Sequence, residues 1–316
     1  MDKILDKIKE YNNIVIHSHI RPDGDAIGSQ YGLMYLIKDS FPNKNVYVTG
    51  EYSEYVSFIG KPDLVLEKAF KDSLSICLDC ATDERLSDDR INLSKYTIKI
   101  DHHIKDIEYC DYEYIDDKAS SCAEIIVEFY NKYKNELVMS DRCANALYVG
   151  MITDSGDFKH DNVSEKTFYM AGILVSHGAN IGNINSQLSN VSLDLLKLEG
   201  YCLNNFKITA NGFAYIVLSK EIICKYNVSD EEAASLVTLI SNIKDVPVWA
   251  MILENDSGIR IRLRSRGPAI NELAGKYNGG GHKMASGAKL SSWDELDRFI
   301  NDVDEILKSY KETLQK

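Results

Sequence analysis

The stretch His19-Ile20-Arg21-Pro22-Asp23-Gly24-Asp25 places one imidazole and two carboxylates within seven residues, on a loop stiffened by Pro22 and loosened by Gly24. Such a loop can wrap donors around a cation, although an Asp-Gly-Asp turn ahead of a helix can equally be plain capping. Other segments tip the balance. Ile14-Val15-Ile16-His17-Ser18-His19, Ser75-Ile76-Cys77-Leu78-Asp79 and Thr97-Ile98-Lys99-Ile100-Asp101-His102-His103 are short β-branched runs, each ending in side chains of metal-ligand type. Asp154 closes a further apolar run, Leu147-Tyr148-Val149-Gly150-Met151-Ile152. A carboxylate at the end of a buried run needs a partner. In an open α/β sheet, groups just past the carboxyl ends of parallel strands converge on one crevice, so these separate pieces can build one site. Oxygen donors with a few imidazoles and no thiolate suit Mn²⁺ or Mg²⁺ better than structural zinc, though Cys77 and Cys80 lie close enough to keep zinc open.

The elements that must carry these residues can be read from periodicity. Alternation and β-branched content predict strands near 13–17, 45–48, 74–78, 97–100 and 112–115, with helices at about 26–38, 119–133, 141–152 and 164–176. Strand–helix alternation of this kind makes a mostly parallel sheet covered by helices. Residues 180–204 turn helical and read as a connector. A strand at 213–218, a helix near 229–241, paired strands near 246–253 and 258–265, a Gly-rich turn and a final helix near 292–312 then make a smaller α/β domain. The expected division is 1–185, a catalytic metal-binding domain, 186–204, the connector, and 205–316, a substrate-binding domain, with a cleft between the two domains.

Composition bounds the class. With 316 residues, 44% hydrophobic and 27% charged, the chain suits two domains with cores of their own. It has no apolar run of membrane-spanning length, and its opening residues read as a charged amphipathic helix rather than a signal peptide; with seven scattered cysteines, this points to the cytoplasm and to no membrane partner. A net charge of −12 opposes long-range attraction to a polyanion, so a nucleic acid partner should be short and held by a local basic patch. Gly258-Ile259-Arg260-Ile261-Arg262-Leu263-Arg264-Ser265-Arg266 offers one: as a strand it puts four arginines on one face, roughly 6.6 Å apart. The Gly279-Gly280-Gly281-His282 turn would let backbone amides approach an anion closely.

Taken in order, His-x-x-Pro-Asp-x-Asp, an isolated Asp, Asp-His-His and a later Asp resemble the DHH phosphoesterases. Gly279-Gly280-Gly281-His282 followed by Ala285-Ser286-Gly287-Ala288 resembles their DHH-associated domain. At this length the chain is most similar to the bacterial oligoribonuclease (nanoRNase) and pAp phosphatase group, which overlaps with phosphodiesterases of cyclic-dinucleotide turnover. The resemblance implies two divalent cations, Mn²⁺ foremost with Mg²⁺ admitted, one held by His19, Asp23 and Asp79 and the other by Asp25, Asp79, His102 and Asp154. It implies that Asp79 bridges them, that His103 faces the substrate phosphate, and that Asp101 supports the imidazoles; His17 has no counterpart. It also implies substrate contacts at Arg262, Arg264, Ser265, Gly280, Gly281 and His282. Short RNA, linear dinucleotides or pAp would be the substrates. A cyclic-dinucleotide phosphodiesterase and a catalytically silent nucleotide-sensing module stand as the alternatives, and a homodimer is left open.

Overall fold

The computed structural model describes residues 1–104 and 107–314 and divides into two compact units, Met1–Asn190 and Val191–Lys316.

The first unit runs α1 (Asp2–Glu10), β1 (Asn13–His17), α2 (Gly24–Ser40), β2 (Asn45–Val48), β3 (Leu74–Leu78), β4 (Tyr96–Asp101), β5 (Tyr112–Ile115), α3 (Cys122–Lys132), α4 (Asp141–Asp154), α5 (Glu165–Ser176) and α6 (Ile181–Leu188). Its five strands are all parallel, in the order β2-β1-β3-β4-β5. Strands buried on both faces read as continuous apolar runs, and β3 is buried at every position. The order reverses between β1 and β3. That is the switch point where crossovers leave in opposite directions and open a crevice beyond the strand ends.

Helix α2 is buried almost all round, and its glycines explain how. A Cβ at Gly28 would lie 2.6 Å from the Ala146 carbonyl oxygen and 2.6 Å from the Gly150 nitrogen, and one at Gly32 would strike the Leu147 side chain. Gly24, Gly28 and Gly32 thus form a stripe at four-residue spacing, along which α2 and α4 approach backbone to backbone. Asp154, the last residue of α4, is thereby brought to the end of α2 that carries Asp25.

The second unit runs α7 (Leu193–Asn205), β6 (Lys207–Ile208), β7 (Phe213–Leu218), α8 (Lys220–Lys225), α9 (Asp230–Ser235), β8 (Val248–Asn255), β9 (Gly258–Ser265), α10 (Asn271–Lys276), β10 (Gly280–His282), β11 (Ala285–Leu290) and α11 (Leu296–Leu314). The six-stranded sheet has the order β10-β11-β9-β8-β7-β6, antiparallel except for β7 against β8. Two apolar clusters cover its two faces. Phe213, Val248, Ile261 and Leu263 pack with Phe299 and Val303 of α11, while Ala214, Ile216 and Met251 pack with Leu195, Leu198 and Cys202 of α7. Residues expected to form part of a connector therefore pack into this unit's core. The expected Gly-rich turn is also different: Gly280–His282 is an edge strand in a hairpin with β11.

Candidate metal centre

Each expected ligand stands where an element ends. His19 lies two residues past β1, and its Nδ1 meets the Ile20 carbonyl at 2.8 Å, which leaves Nε2 for the crevice. Asp23 caps α2, its Oδ1 accepting from the amides of Asp25 and Ala26 at 3.0 Å each, and a carboxylate that caps a helix still has lone pairs to offer a cation. Asp25 is 1% exposed and accepts from the first amides of α3, Cys122 at 2.7 Å and Ala123 at 3.0 Å. That helix N-terminus stabilises its charge. Asp79 turns the chain after β3 at φ +53°, a left-handed conformation that Asp tolerates better than most residues, and its amide donates to the Ile100 carbonyl of β4 at 3.1 Å.

These ends converge. Asp79 Oδ2 lies 3.6 Å from His19 Nε2, and its Oδ1 lies 3.4 Å from His102 Nε2 and 3.5 Å from His103 Nδ1. His19 Nε2 is 3.9 Å from Asp23 Oδ1, and His102 Nε2 is 3.9 Å from Asp25 Oδ2 and 3.4 Å from Asp154 Oδ2. The donor atoms fall into the groups His19–Asp23–Asp79, Asp25–His102–Asp154 and Asp79–His102–His103, each within 4.8 Å. His103 is the accessible histidine, its side chain 43% exposed against 7% for His19 and 13% for His102. Its Nδ1 meets Asp101 Oδ1 at 2.8 Å.

The electrostatics of the cluster suit cations. Burial opposes charge on His19 and His102, but Asp79 and the surrounding carboxylates carry them up to about 9 and about 10. Burial would raise Asp79, yet the His102 and His19 imidazoles hold it down to about 2. Asp25 is pushed well above the usual carboxylate range by burial, then by Asp79 and Asp154; Asp154 rises to about 6, chiefly through burial. Burial also works to raise Asp101, but hydrogen bonds from His103 keep it below the usual range. Buried Asp79 Oδ1 makes no hydrogen bond among the described residues. Crowded carboxylates, imidazoles carrying protons that a cation would replace, and an unsatisfied buried oxygen fit divalent cations. Loading would release those protons and strengthen as pH rises through the range where His19 and His102 lose them.

His17 stays outside this centre. It is fully buried, hydrogen-bonds Ser75 Oγ at 3.0 Å, and burial lowers its pKa to about 4, so it is neutral and structural. One residue in the neighbourhood escaped the sequence reading. Lys99 is 1% exposed in β4 and lies 3.3 Å from Asp101 Oδ2. The available signal was a lysine inside an apolar strand run.

In the second unit, residues paired across the sheet share a face. Arg264 pairs with Ala285 and Ala285 with His282; Arg262 pairs with Gly287 and Gly287 with Gly280. Arg262, Arg264, Gly280 and His282 therefore stand together on one face, with Arg260 one step along. Gly281 and Ser265 fall on the other. The Ser265 hydroxyl donates to the Pro268 carbonyl at 2.7 Å and accepts from the Gly267 amide at 3.0 Å. Gly281 adopts φ +134°, where a Cβ would meet the Ala285 carbonyl oxygen at 2.7 Å. The expected row of four arginines is three within the strand, because β9 ends at Ser265 and Arg266 stacks on the Trp249 ring at 5.1 Å. Burial and then Arg262 lower the Arg264 pKa. Beside this face a cavity of about 460 Å³ is lined by residues including Arg260, Arg262, Gly279, Gly287 and Lys289.

A cluster of carboxylates and imidazoles at the switch point of a parallel sheet is an arrangement suited to metal-assisted hydrolysis. Comparison with known proteins makes the class specific. Residues 13–151 match the N-terminal domain of the DHH family and residues 211–309 match the DHHA1 domain. The chain is 36% identical to the bifunctional oligoribonuclease and PAP phosphatase NrnA of Bacillus subtilis, covering 98% of this chain and 99% of that protein. It is 39% identical to the probable bifunctional oligoribonuclease and PAP phosphatase NrnA of Streptococcus mutans, covering 96% and 98%. A crystal structure of an exopolyphosphatase-related protein from Bacteroides fragilis superposes with a TM-score of 0.87 at 28% identity, covering 100% of this chain and 97% of that one. The chain belongs to the DHH family and is a phosphoesterase. Among the described residues, no helix is long and apolar enough to cross a membrane.

Proposed function

We propose that this phosphoesterase hydrolyses very short oligoribonucleotides and linear dinucleotides to mononucleotides and removes the 3′-phosphate of pAp. Asp79 carries the reading: one carboxylate turns its two oxygens toward two different imidazole–carboxylate groups, where it would be able to serve two cations at once. His19, Asp23 and Asp79 would hold one ion, and Asp25, Asp79, His102 and Asp154 the other. The four carboxylates match the charge of two divalent ions, and oxygen-rich donors favour Mn²⁺ over softer metals. When bound, such a pair activates water and stabilises the phosphoryl charge.

The chain's own residues do the rest. Asp101 accepts from His103 Nδ1 and so leaves Nε2 to meet a phosphate oxygen or give a proton to the leaving group. Arg262, Arg264 and His282 supply donors for a phosphate, and the glycines at 280 and 287 keep the face between them free of side chains. Full-length similarity to relatives named oligoribonuclease and PAP phosphatase supports this choice of substrates. So does the presence of every expected ligand, which argues against a silent sensing module. Seven free cysteines suit a reducing, cytoplasmic location.

The test is product analysis with dinucleotide RNA, pAp and a cyclic dinucleotide in chelator, in Mn²⁺ and in Ca²⁺. Mononucleotide or phosphate release in Mn²⁺, lost on chelation and weak in Ca²⁺, is expected. Equal rates in chelator, or no turnover of the dinucleotide and pAp, would overturn the proposal.

A further inference from the structure

A buried cation stands directly behind His103. Lys99 lies in β4, paired in register with Cys77 of β3. Its ammonium is 3.3 Å from Asp101 Oδ2, donates to the Ala81 carbonyl at 2.8 Å, and lies 4.9 Å from the centre of the Tyr109 ring. The Tyr109 hydroxyl in turn donates to the Cys80 carbonyl at 2.7 Å. Lys99 therefore joins two strand ends: the turn just past Asp79, through Ala81, and the end of β4, through Asp101.

Burying an ammonium group costs several kcal/mol unless it is paired, so a lysine in the middle of a buried strand calls for a specific reason. The geometry of Asp101 supplies one. A carboxylate that is 0% exposed has two oxygens. Lys99 faces Oδ2, while Oδ1 accepts from the His103 amide at 3.1 Å and faces His103 Nδ1 at 2.8 Å. With Oδ2 facing the ammonium, the carboxylate cannot rotate without breaking that ion pair. Without it, the buried carboxylate is free to turn to another donor, and Nδ1 loses its fixed acceptor.

We propose that Lys99 is a positioning residue for the phosphoesterase reaction: it pins Asp101 so that His103 presents Nε2 to the substrate, and it ties the Asp79 turn to the same carboxylate. The inference rests on the reading of His103 as the phosphate-facing group.

The test compares Lys99→Met, Asp101→Asn and the double variant, with two kinds of readout. One is ¹⁵N NMR of the His103 ring in metal-free protein, where the wild type should show a proton fixed on Nδ1 and Lys99→Met a mixture of tautomers. The other is turnover of a dinucleotide in Mn²⁺. Loss of a group that orients a site residue costs about tenfold to a hundredfold, so kcat should fall by that factor in Lys99→Met, with KM within about twofold and manganese stoichiometry unchanged. Because both residues act through one contact, the double variant should be no slower than Asp101→Asn by more than about twofold. If Lys99→Met is insoluble, Lys99→Gln, which keeps a donor for Ala81 without the charge, is read in the same way. A variant that only lowers the melting temperature, with the His103 spectrum and kcat of the wild type, overturns the inference, as do effects of Lys99 and Asp101 that multiply. Should the wild type turn over no dinucleotide, the substrate reading fails, and the His103 spectrum still decides the role of Lys99.

Discussion

On the proposed two-cation reading, Asp79 concentrates the chemistry of the site at one residue. Several kcal/mol of transition-state stabilisation from a cation pair correspond to about a thousandfold in rate or more, so Asp79→Asn should lower kcat by at least about that factor. The backbone should survive, because Asn tolerates the left-handed φ of +53° as Asp does and removing one carboxylate relieves crowding around Asp25. Turnover together with far-UV circular dichroism checks this, and a folded variant with wild-type rates would remove the bridge. At this scale the sequence could name candidates: His19, Asp23, Asp25, Asp79, His102 and Asp154 stood out because ligand chemistry leaves few residue types and strand ends leave few places, and the fold brings their donor atoms together. Lys99 was not legible, since an isolated lysine in an apolar run gives no sign of which carboxylate it meets. Ser265 and Gly281 could be named from a motif, but which face they take depends on strand pairing, and both lie opposite Arg264.

Between elements, the contact that brings Asp154 beside His102 and Asp25 is made of glycine. Gly28→Ala puts a methyl 2.6 Å from backbone atoms of α4, which cannot swing aside as a side chain can, so α2 and α4 must separate. Overpacking of this kind costs about 1–3 kcal/mol, and the shift should also weaken Mn²⁺ binding by carrying Asp154 away from His102. Urea unfolding and a manganese titration measure the two effects. Gly172→Ala on α5, where an added Cβ meets nothing within 4 Å, is the control. Wild-type stability and affinity in Gly28→Ala would show that the helices adapt freely. The strands of the parallel sheet were readable as elements because buried β-branched runs have few other uses. The edge strand at 280–282 and the short helices α8 and α10 were not, because glycine-rich or six-residue segments carry too little periodicity and take their form from neighbours.

For the molecule as a whole, the balance between charge and local pattern decides what it can hold. A net charge of −12 gives a long polyanion no attraction at a distance, while a short row of arginines can engage only a few phosphates. We expect kcat/KM in Mn²⁺ to be highest for about two to five nucleotides and to fall for an oligomer of about two dozen; equal rates for the longest and the dinucleotide would refute the short-substrate reading. Two-unit organisation was legible from the change in pattern after residue 180, whereas the membership of α7 was not, because a helix's partners are fixed only by packing. The order of the ligands along the chain has one more consequence. Both proposed cation groups draw on distant segments, and the second stays incomplete until α4 has docked on α2. A cation therefore cannot template the early collapse; it can only clasp a sheet already formed. Its effect should be on the lifetime of the native state, slowing escape from it, rather than on the speed at which the chain arrives there.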